Sequence, residues 1–95
     1  MRLAYLVMGP FDFDKDRTGF EGLDTVMIGV ADLEEAAAVA ATLSYAGFDA
    51  IELSGAFGPE GARAVIEATG HRIPVGYVTH FPEDDGLFEK AFGKK

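Results

Sequence analysis

The sequence predicts an α/β fold built on a small, mostly parallel sheet of four strands. Four short apolar runs lie at residues 2–8, 24–31, 48–54 and 73–79, and helical patterns separate the last three. Strand–helix–strand connections join parallel strands, so the last three should run parallel. The order β-β-α-β-α-β, with both helices on one face, resembles part of a (β/α) barrel.

The first strand, RLAYLVM, is followed by Gly9 and Pro10, which stop a strand. Residues 10–23 show no periodicity and collect Asp and Gly, so they predict a long loop. Because this connection is long, the place of the first strand in the sheet stays open. The second strand, DTVMIGVA, is apolar almost throughout, which is typical of a buried parallel strand.

Both helices carry start and stop signals. Asp32 and Glu35 form a capping-box pattern, and LEEAAAVAATLSYA then runs to Gly47, a residue type common just after a helix. Pro59 suits the first turn of the second helix, PEGARAVIEAT, which stops before Gly70. The first helix is apolar well beyond its core stripe, which indicates contacts on more than one side.

Side-chain alternation assigns two faces to the third predicted strand. Ile51 and Leu53 are its large residues and should pack against the helices, so Glu52 and Ser54 should point to the opposite face. The same reasoning puts small residues and Met27 on that opposite face, which a single chain leaves bare. A bare sheet face and an apolar helix favour a homo-oligomer, a dimer or larger.

Composition narrows the classes of function. The 95 residues predict one domain, residues 1–95. Its residues 80–95 form either one or two helical turns around Leu87, Phe88 and Phe92 or a tail that docks on a neighbour. The formal net charge of -8 argues against nucleic-acid and membrane partners. Zero cysteines exclude disulfides and thiol chemistry. The N-terminal run predicts a strand rather than a signal peptide, so we expect a cytoplasmic protein.

The stretch IELSGAFGPEGARAVI places three glycines between a strand and a helix. Gly55, Gly58 and Gly61 lie where helix amides favour anions, but the spacing is neither that of dinucleotide folds nor that of a P-loop. Acidic neighbours further disfavour phosphate and leave a neutral or cationic ligand. The structural alternative is that Gly55 adopts positive φ and Gly61 lets helix and strand pack closely.

Glu52 is the leading candidate for a chemical role, because an ionisable group in a buried strand is costly unless it is paired. Ligands of open parallel sheets gather at strand carboxyl ends, where Glu52 and His80 both fall. The two could act as a base and its partner or as metal ligands. Alternatively, Glu52 only accepts hydrogen bonds from the glycine-loop amides.

The acidic run DFDKD, with Asp12, Asp14 and Asp16, resembles the opening of a calcium loop. Arg17 then stands where glycine is required, and Leu23 where the bidentate Glu should be. We therefore expect a solvated loop and no bound metal. Arg17 would instead lie over the strand ends as part of a lid and supply a cation there.

The segments AYLVMGP, IGV, IELSGAFGPEG and IPVGYV, in this order, resemble a family of short uncharacterised bacterial and archaeal proteins. The family loop usually resembles Ile-Glu-Leu-Cys-Gly-Gly-Phe-Gly. Ser54 replaces the Cys here and Ala56 a Gly, so a thiol role does not transfer. The resemblance implies the architecture, directs attention to Glu52, Gly55, Phe57 and Gly58, and implies no reaction.

The leading functional prediction is an oligomeric small-molecule-binding protein, without a cofactor, whose site lies at the strand carboxyl ends. Glu52 would be the anchor and His80 would lie at the rim. The predicted ligand contacts are Ser54, Gly55, Phe57, Gly58 and Arg17. One alternative is a lyase or isomerase with Glu52 as general base and His80 as its partner. Another is a structural or interaction subunit with no ligand, in which case no cavity should lie near Glu52.

Overall fold

The computed structural model describes residues 1–19 and 24–92. Residues 20–23 and 93–95 lie outside the described residues; they include Leu23 of the calcium-loop comparison and the end of the predicted tail. The strands are β1 (Leu3–Met8), β2 (Arg17–Gly19), β3 (Thr25–Val30), β4 (Ala50–Leu53) and β5 (Val75–Tyr77). The helices are α1 (Leu33–Tyr45), α2 (Gly58–Ala68) and α3 (Asp85–Phe92), and short 3₁₀ turns at Gly55–Phe57 and Pro82–Asp84 precede the last two.

The five strands form one sheet in the order β2-β3-β1-β4-β5. The last four of these strands pair in parallel, and β2 pairs antiparallel with β3. The α/β class and the mostly parallel sheet are therefore confirmed. The resemblance to a barrel is not, because β1 lies between β3 and β4 and the α1 connection must cross it. The parallel strands instead follow the order of doubly wound α/β folds.

Strand β2, which the sequence analysis does not predict, comes from the segment 10–23 that is predicted to be a loop. Arg17 to Gly19 pair with Ile28 to Val26 along the outer edge of β3. Three residues ending in glycine carry no strand pattern, so the pairing follows from the available edge rather than from local propensity. Two strands separate β2 from β4, so Arg17 lies at the sheet edge and not over the end of β4.

The helix ends form as the sequence predicts. The Asp32 carboxylate accepts a hydrogen bond from the Glu35 amide at 2.8 Å, and the Glu35 carboxylate accepts one from the Ala31 amide at 2.8 Å. Gly47 adopts a φ of 89° just beyond α1, a left-handed conformation that suits glycine. Pro59 lies in the first turn of α2. Local interactions therefore define where α1 begins and ends and where α2 begins.

The core lies between one face of the sheet and helices α1 and α2. Ile51 and Leu53 are fully buried there, as alternation predicts. The opposite face carries Glu52 and the partly exposed Met27. Phe11 covers part of it, because a Cβ added at Gly29 would lie 2.7 Å from the Phe11 Cβ and Cγ. The loop after β1 thus crosses the face of the sheet opposite to α1 and α2.

Candidate functional site

A cleft of about 1080 Å³ opens at the carboxyl ends of β1, β4 and β5. It lies beside Met8 of β1, Ser54 and Gly55 after β4, and Val78 to His80 after β5. Along the strand order of the sheet, β3 lies to one side of β1, whereas β4 and then β5 lie to its other side. The β1/β4 junction is therefore the point where the strand order reverses, and ligands of open α/β sheets bind at this position.

The glycine loop shapes one wall of this cleft. The Ser54 hydroxyl accepts a hydrogen bond from the Met8 amide at 3.3 Å, which ties the ends of β4 and β1 together. Gly58 begins α2 with φ 66° and ψ 178°, a conformation essentially restricted to glycine. The prediction that Gly55 adopts positive φ is wrong, because the described glycines with positive φ are Gly47, Gly58 and Gly70.

Contrary to the prediction, Gly61 does not lie against a strand; its close neighbours are Phe57 and Leu33. A Cβ at this position would lie 3.3 Å from the Phe57 Cβ and 3.8 Å from the Leu33 Cδ1. The glycine therefore lets α2 approach Phe57 and the start of α1. Phe57 itself is only 6% exposed and belongs to the core. The packing of this side chain in the core fixes the turn Gly55–Phe57 against the body of the protein.

His80 joins the end of β5 to helix α3 on the opposite wall of the cleft. Its Nε2 lies 2.7 Å from the Asp85 Oδ1. Its ring stacks on Phe88, with centroids 3.9 Å apart and planes within 4°. Phe92 follows at 5.9 Å from Phe88, so a row of three rings runs along this side. These contacts hold α3 against the body although none of its described residues is buried.

The lining of the cleft is mostly apolar. Its apolar members are Met8, Ala56, Pro59, Tyr77, Val78, Phe88 and Phe92. The polar side chains are Ser54, Thr79, His80, Asp85 and Glu89. Among the described residues, no lysine or arginine lines this space. A few polar groups set in apolar walls is the composition expected of a pocket for a small organic molecule.

Glu52 lies on the open face of the sheet and is not among the residues that line the cleft. It pairs in register with Tyr5 and Gly76. A Cβ on Gly76 would lie 2.7 Å from the Glu52 Oε1, so the carboxylate occupies the space that glycine leaves free. The loop amides donate elsewhere: Ser54 to the Leu6 carbonyl, Phe57 to that of Ser54 and Gly58 to that of Gly55.

The structure thus brings together only part of the predicted set. Ser54, Gly55, Gly58 and His80 share the cleft, whereas Glu52, Phe57 and Arg17 lie outside its lining. Sequence reasoning missed the contribution of α3, in particular Asp85 and Phe88. The aromatic spacing in GLFEKAF is a signal that this segment presents one side to a neighbouring surface.

The acidic loop after β1 is folded by its own carboxylates. Asp12 Oδ1 accepts from the Asp14 amide at 2.9 Å, and Asp16 Oδ2 accepts from the Asp12 amide at 2.7 Å. Within residues 1–19 and 24–92, no group of three or more His, Asp or Glu side chains is arranged to hold a metal ion. No helix in the same ranges is long and apolar enough to cross a membrane.

The fold and the cleft define a small α/β protein with doubly wound strand order and a candidate ligand site where that order reverses. The chain belongs to a family of unknown function (DUF6506), whose profile matches residues 1–93. The membership expected from the sequence is therefore confirmed. No curated protein and no solved structure matches the chain.

Proposed function

We propose that the protein binds a small organic molecule in the cleft at the β1/β4 junction. The observation that carries the proposal is the position of this cleft, of about 1080 Å³, at the reversal of strand order. Its volume is close to the upper end of the usual range for ligand pockets. The site keeps the predicted location at the strand carboxyl ends but moves away from Glu52 to Ser54, Gly55 and His80.

The polar groups of the cleft can fix the orientation of a ligand by hydrogen bonds, which apolar walls alone cannot do. The hydroxyls of Ser54 and Thr79 supply both donors and acceptors, and His80 adds a ring nitrogen. The Ser54 oxygen already accepts from Met8, so its proton remains for a ligand acceptor. Ser54 and His80 are half-buried beside the apolar walls, which limits competition from water for their hydrogen bonds, whereas Thr79 is exposed.

A fragment screen followed by ¹H–¹⁵N NMR tests this proposal. We expect binding fragments to shift the amides of Ser54, Gly55, Val78 and His80 together. Ala56→Trp should abolish these shifts, because Ala56 lines the cleft and the indole would fill it. Ala38→Trp is the matched control, since Ala38 is an exposed residue on α1 outside the cleft lining. Fragment binding that survives Ala56→Trp, or that shifts only distant amides, would contradict the proposal.

A second candidate function, proton transfer, is favoured by the pairing of His80 with Asp85. A carboxylate 2.7 Å from one imidazole nitrogen orients the ring and leaves the other nitrogen available as a general base. This differs from the predicted lyase or isomerase that uses Glu52, whose carboxylate lies beside Gly76. The alternative of a subunit without a ligand agrees with the position of Glu52 outside the cleft lining, but it gives no reason for the cleft at Ser54 and His80.

Deuterium exchange separates this candidate from simple binding. Fragments with an acidic C–H bond next to a carbonyl are incubated with the protein in D₂O and followed by ¹H NMR. An enzyme should accelerate exchange above the buffer rate, and His80→Gln should remove the acceleration while fragment binding persists. Exchange at the buffer rate with bound fragments would leave binding as the function and reject catalysis.

We also propose self-association through the surfaces that a single chain leaves open. Met27 is 37% exposed on the sheet face without helices, and Leu87 and Phe92 are 68% and 78% exposed on α3. Exposed apolar side chains on each of these two surfaces favour an interface. Light scattering should give a multiple of 10.1 kDa; a monomeric mass at working concentration rejects the oligomer. The cytoplasmic location stays a prediction.

A further inference from the structure

The charged side chains that line the cleft from α3 are of one sign. Asp85 and Glu89 both line it, and they are four residues apart, so they project from the same side of the helix. No lysine or arginine from the described part of the chain joins them. His80 Nε2 is already engaged by Asp85. Among the described residues that line the cleft, the His80 imidazole is the only group that can offset these carboxylates, and it is paired with Asp85, so an anionic ligand would still meet the carboxylate of Glu89.

Aromatic rings accompany these carboxylates. Tyr77, Phe88 and Phe92 line the same cleft, and the Phe88–Phe92 centroid distance is 5.9 Å. The face of an aromatic ring carries negative electrostatic potential and attracts cations. One face of Phe88 is covered by His80, so Tyr77, Phe92 and the other side of Phe88 are the rings open to a ligand. Carboxylates and aromatic rings that line one cleft are a combination suited to organic ammonium groups, while Met8 and Val78 offer apolar surface to the rest of such a molecule.

The amino-terminal end of α2 favours anions and so opposes the effect of the two carboxylates. Gly58 and Pro59, at the start of that helix, also line the cleft, and a helix start carries about half a positive charge. Two full negative charges on α3 outweigh this partial charge. The net charge of -8 on the chain adds a field of the same sign.

We propose that the cleft selects organic cations: primary amines or quaternary ammonium compounds with an apolar, preferably aromatic, body. This inference rests on the proposed function and adds the chemical class of the ligand. The ammonium group lies near Asp85 and Glu89, and the apolar body lies along the aromatic row. Neutral molecules of the same shape bind more weakly, and anions of the same shape are rejected.

Three probes of similar shape test the proposal: 2-phenylethylammonium, 2-phenylethanol and phenylacetate, titrated against the full chain by calorimetry and NMR. We expect the cation to bind about tenfold more tightly than the alcohol, from the ion pairs and the cation–π contact together. Phenylacetate should not shift the cleft amides. Raising the ionic strength should weaken only the cation, because screening acts on its charge.

A matched pair of variants assigns the preference to the cleft. Glu89 is exposed, so Glu89→Gln should weaken 2-phenylethylammonium about two- to fivefold, as expected for one exposed ion pair, and leave 2-phenylethanol unchanged. Glu83→Gln removes the same charge from a residue that does not line the cleft, and it should leave both affinities unchanged. Equal losses in the two variants would assign the effect to overall charge and overturn the proposal.

The outcomes separate this inference from the proposed function. If the alcohol binds in the cleft as tightly as the cation, the ligand class is wrong and binding in the cleft stands. If phenylacetate binds best, the field of the helix start dominates and the ligand class is again overturned. If no probe shifts the cleft amides and the fragment screen also finds no binder there, both proposals fall together.

Discussion

Gly58→Ala isolates the cost of the backbone conformation that opens α2. Gly58 has φ 66° and ψ 178°, and no atom lies within 4 Å of an added Cβ. The methyl group therefore meets no neighbour, and the whole penalty comes from its own backbone. A residue other than glycine in this region costs about 1–3 kcal/mol. The smaller entropy of the unfolded alanine chain offsets about 0.4–1 kcal/mol of that.

The two contributions give a net loss of up to about 2.6 kcal/mol in the free energy of unfolding, and about 1.3 kcal/mol from the middle of both ranges. For a domain of this size a loss of about 1.3 kcal/mol lowers the melting temperature by roughly 5–10 °C. Urea denaturation followed by circular dichroism measures the change.

Gly86→Ala is the control, because Gly86 also has nothing within 4 Å of an added Cβ but lies in helix α3 without positive φ. It should be neutral or stabilise by up to about 1 kcal/mol. Equal effects of the two substitutions would refute the reasoning from φ.

Three further predictions concern other local contacts. Asp32→Ala removes the cap of α1 and should cost about 1 kcal/mol in urea denaturation; an unchanged midpoint would contradict a role for the cap. Gly29→Ala should destabilise clearly, because its Cβ would lie 2.7 Å from the Phe11 Cβ and Cγ and 2.9 Å from the ring Cδ2. Adding Phe11→Ala removes Cγ and the ring but keeps Cβ, so it should recover only part of the loss; a cycle that is simply additive would disprove the contact. Gly76→Ala should lower the free energy of unfolding by less, since the group that its Cβ would meet is the movable Glu52 carboxylate. In a Glu52→Ala background this loss should nearly vanish; an undiminished loss would show that it comes from the backbone instead.

The parts of the fold that were predictable are those governed by local sequence. The cap at Asp32, the left-handed Gly47 and the alternation of Ile51 and Leu53 each depend on a few neighbouring residues. Such features require no knowledge of which strands are adjacent. The class of fold follows from them, because the order of strands and helices restricts the topology.

The parts that were not predictable depend on contacts between distant segments. Residues 10–23 separate β1 from β3, so nothing local places β1 between β3 and β4. β2 exists because the edge of β3 is free to pair. Glu52 was placed on the correct face, but the cleft forms beyond the strand ends, with α3 as one wall. The partnership of His80 with Asp85 and Phe88 depends on how the chain turns after β5.

Helix α3 supplies a wall of the cleft without contributing a buried residue. It is attached through the ring of His80 and the carboxylate of Asp85, so its detachment exposes little apolar surface and costs far less than global unfolding. We therefore expect the complete cleft only in the fraction of molecules in which α3 is attached to the sheet. The apparent dissociation constant of any ligand that touches α3 is the intrinsic constant divided by that fraction. Occupancy would then be reported by slower amide hydrogen exchange in α3, while exchange in β1 and β4 stays unchanged.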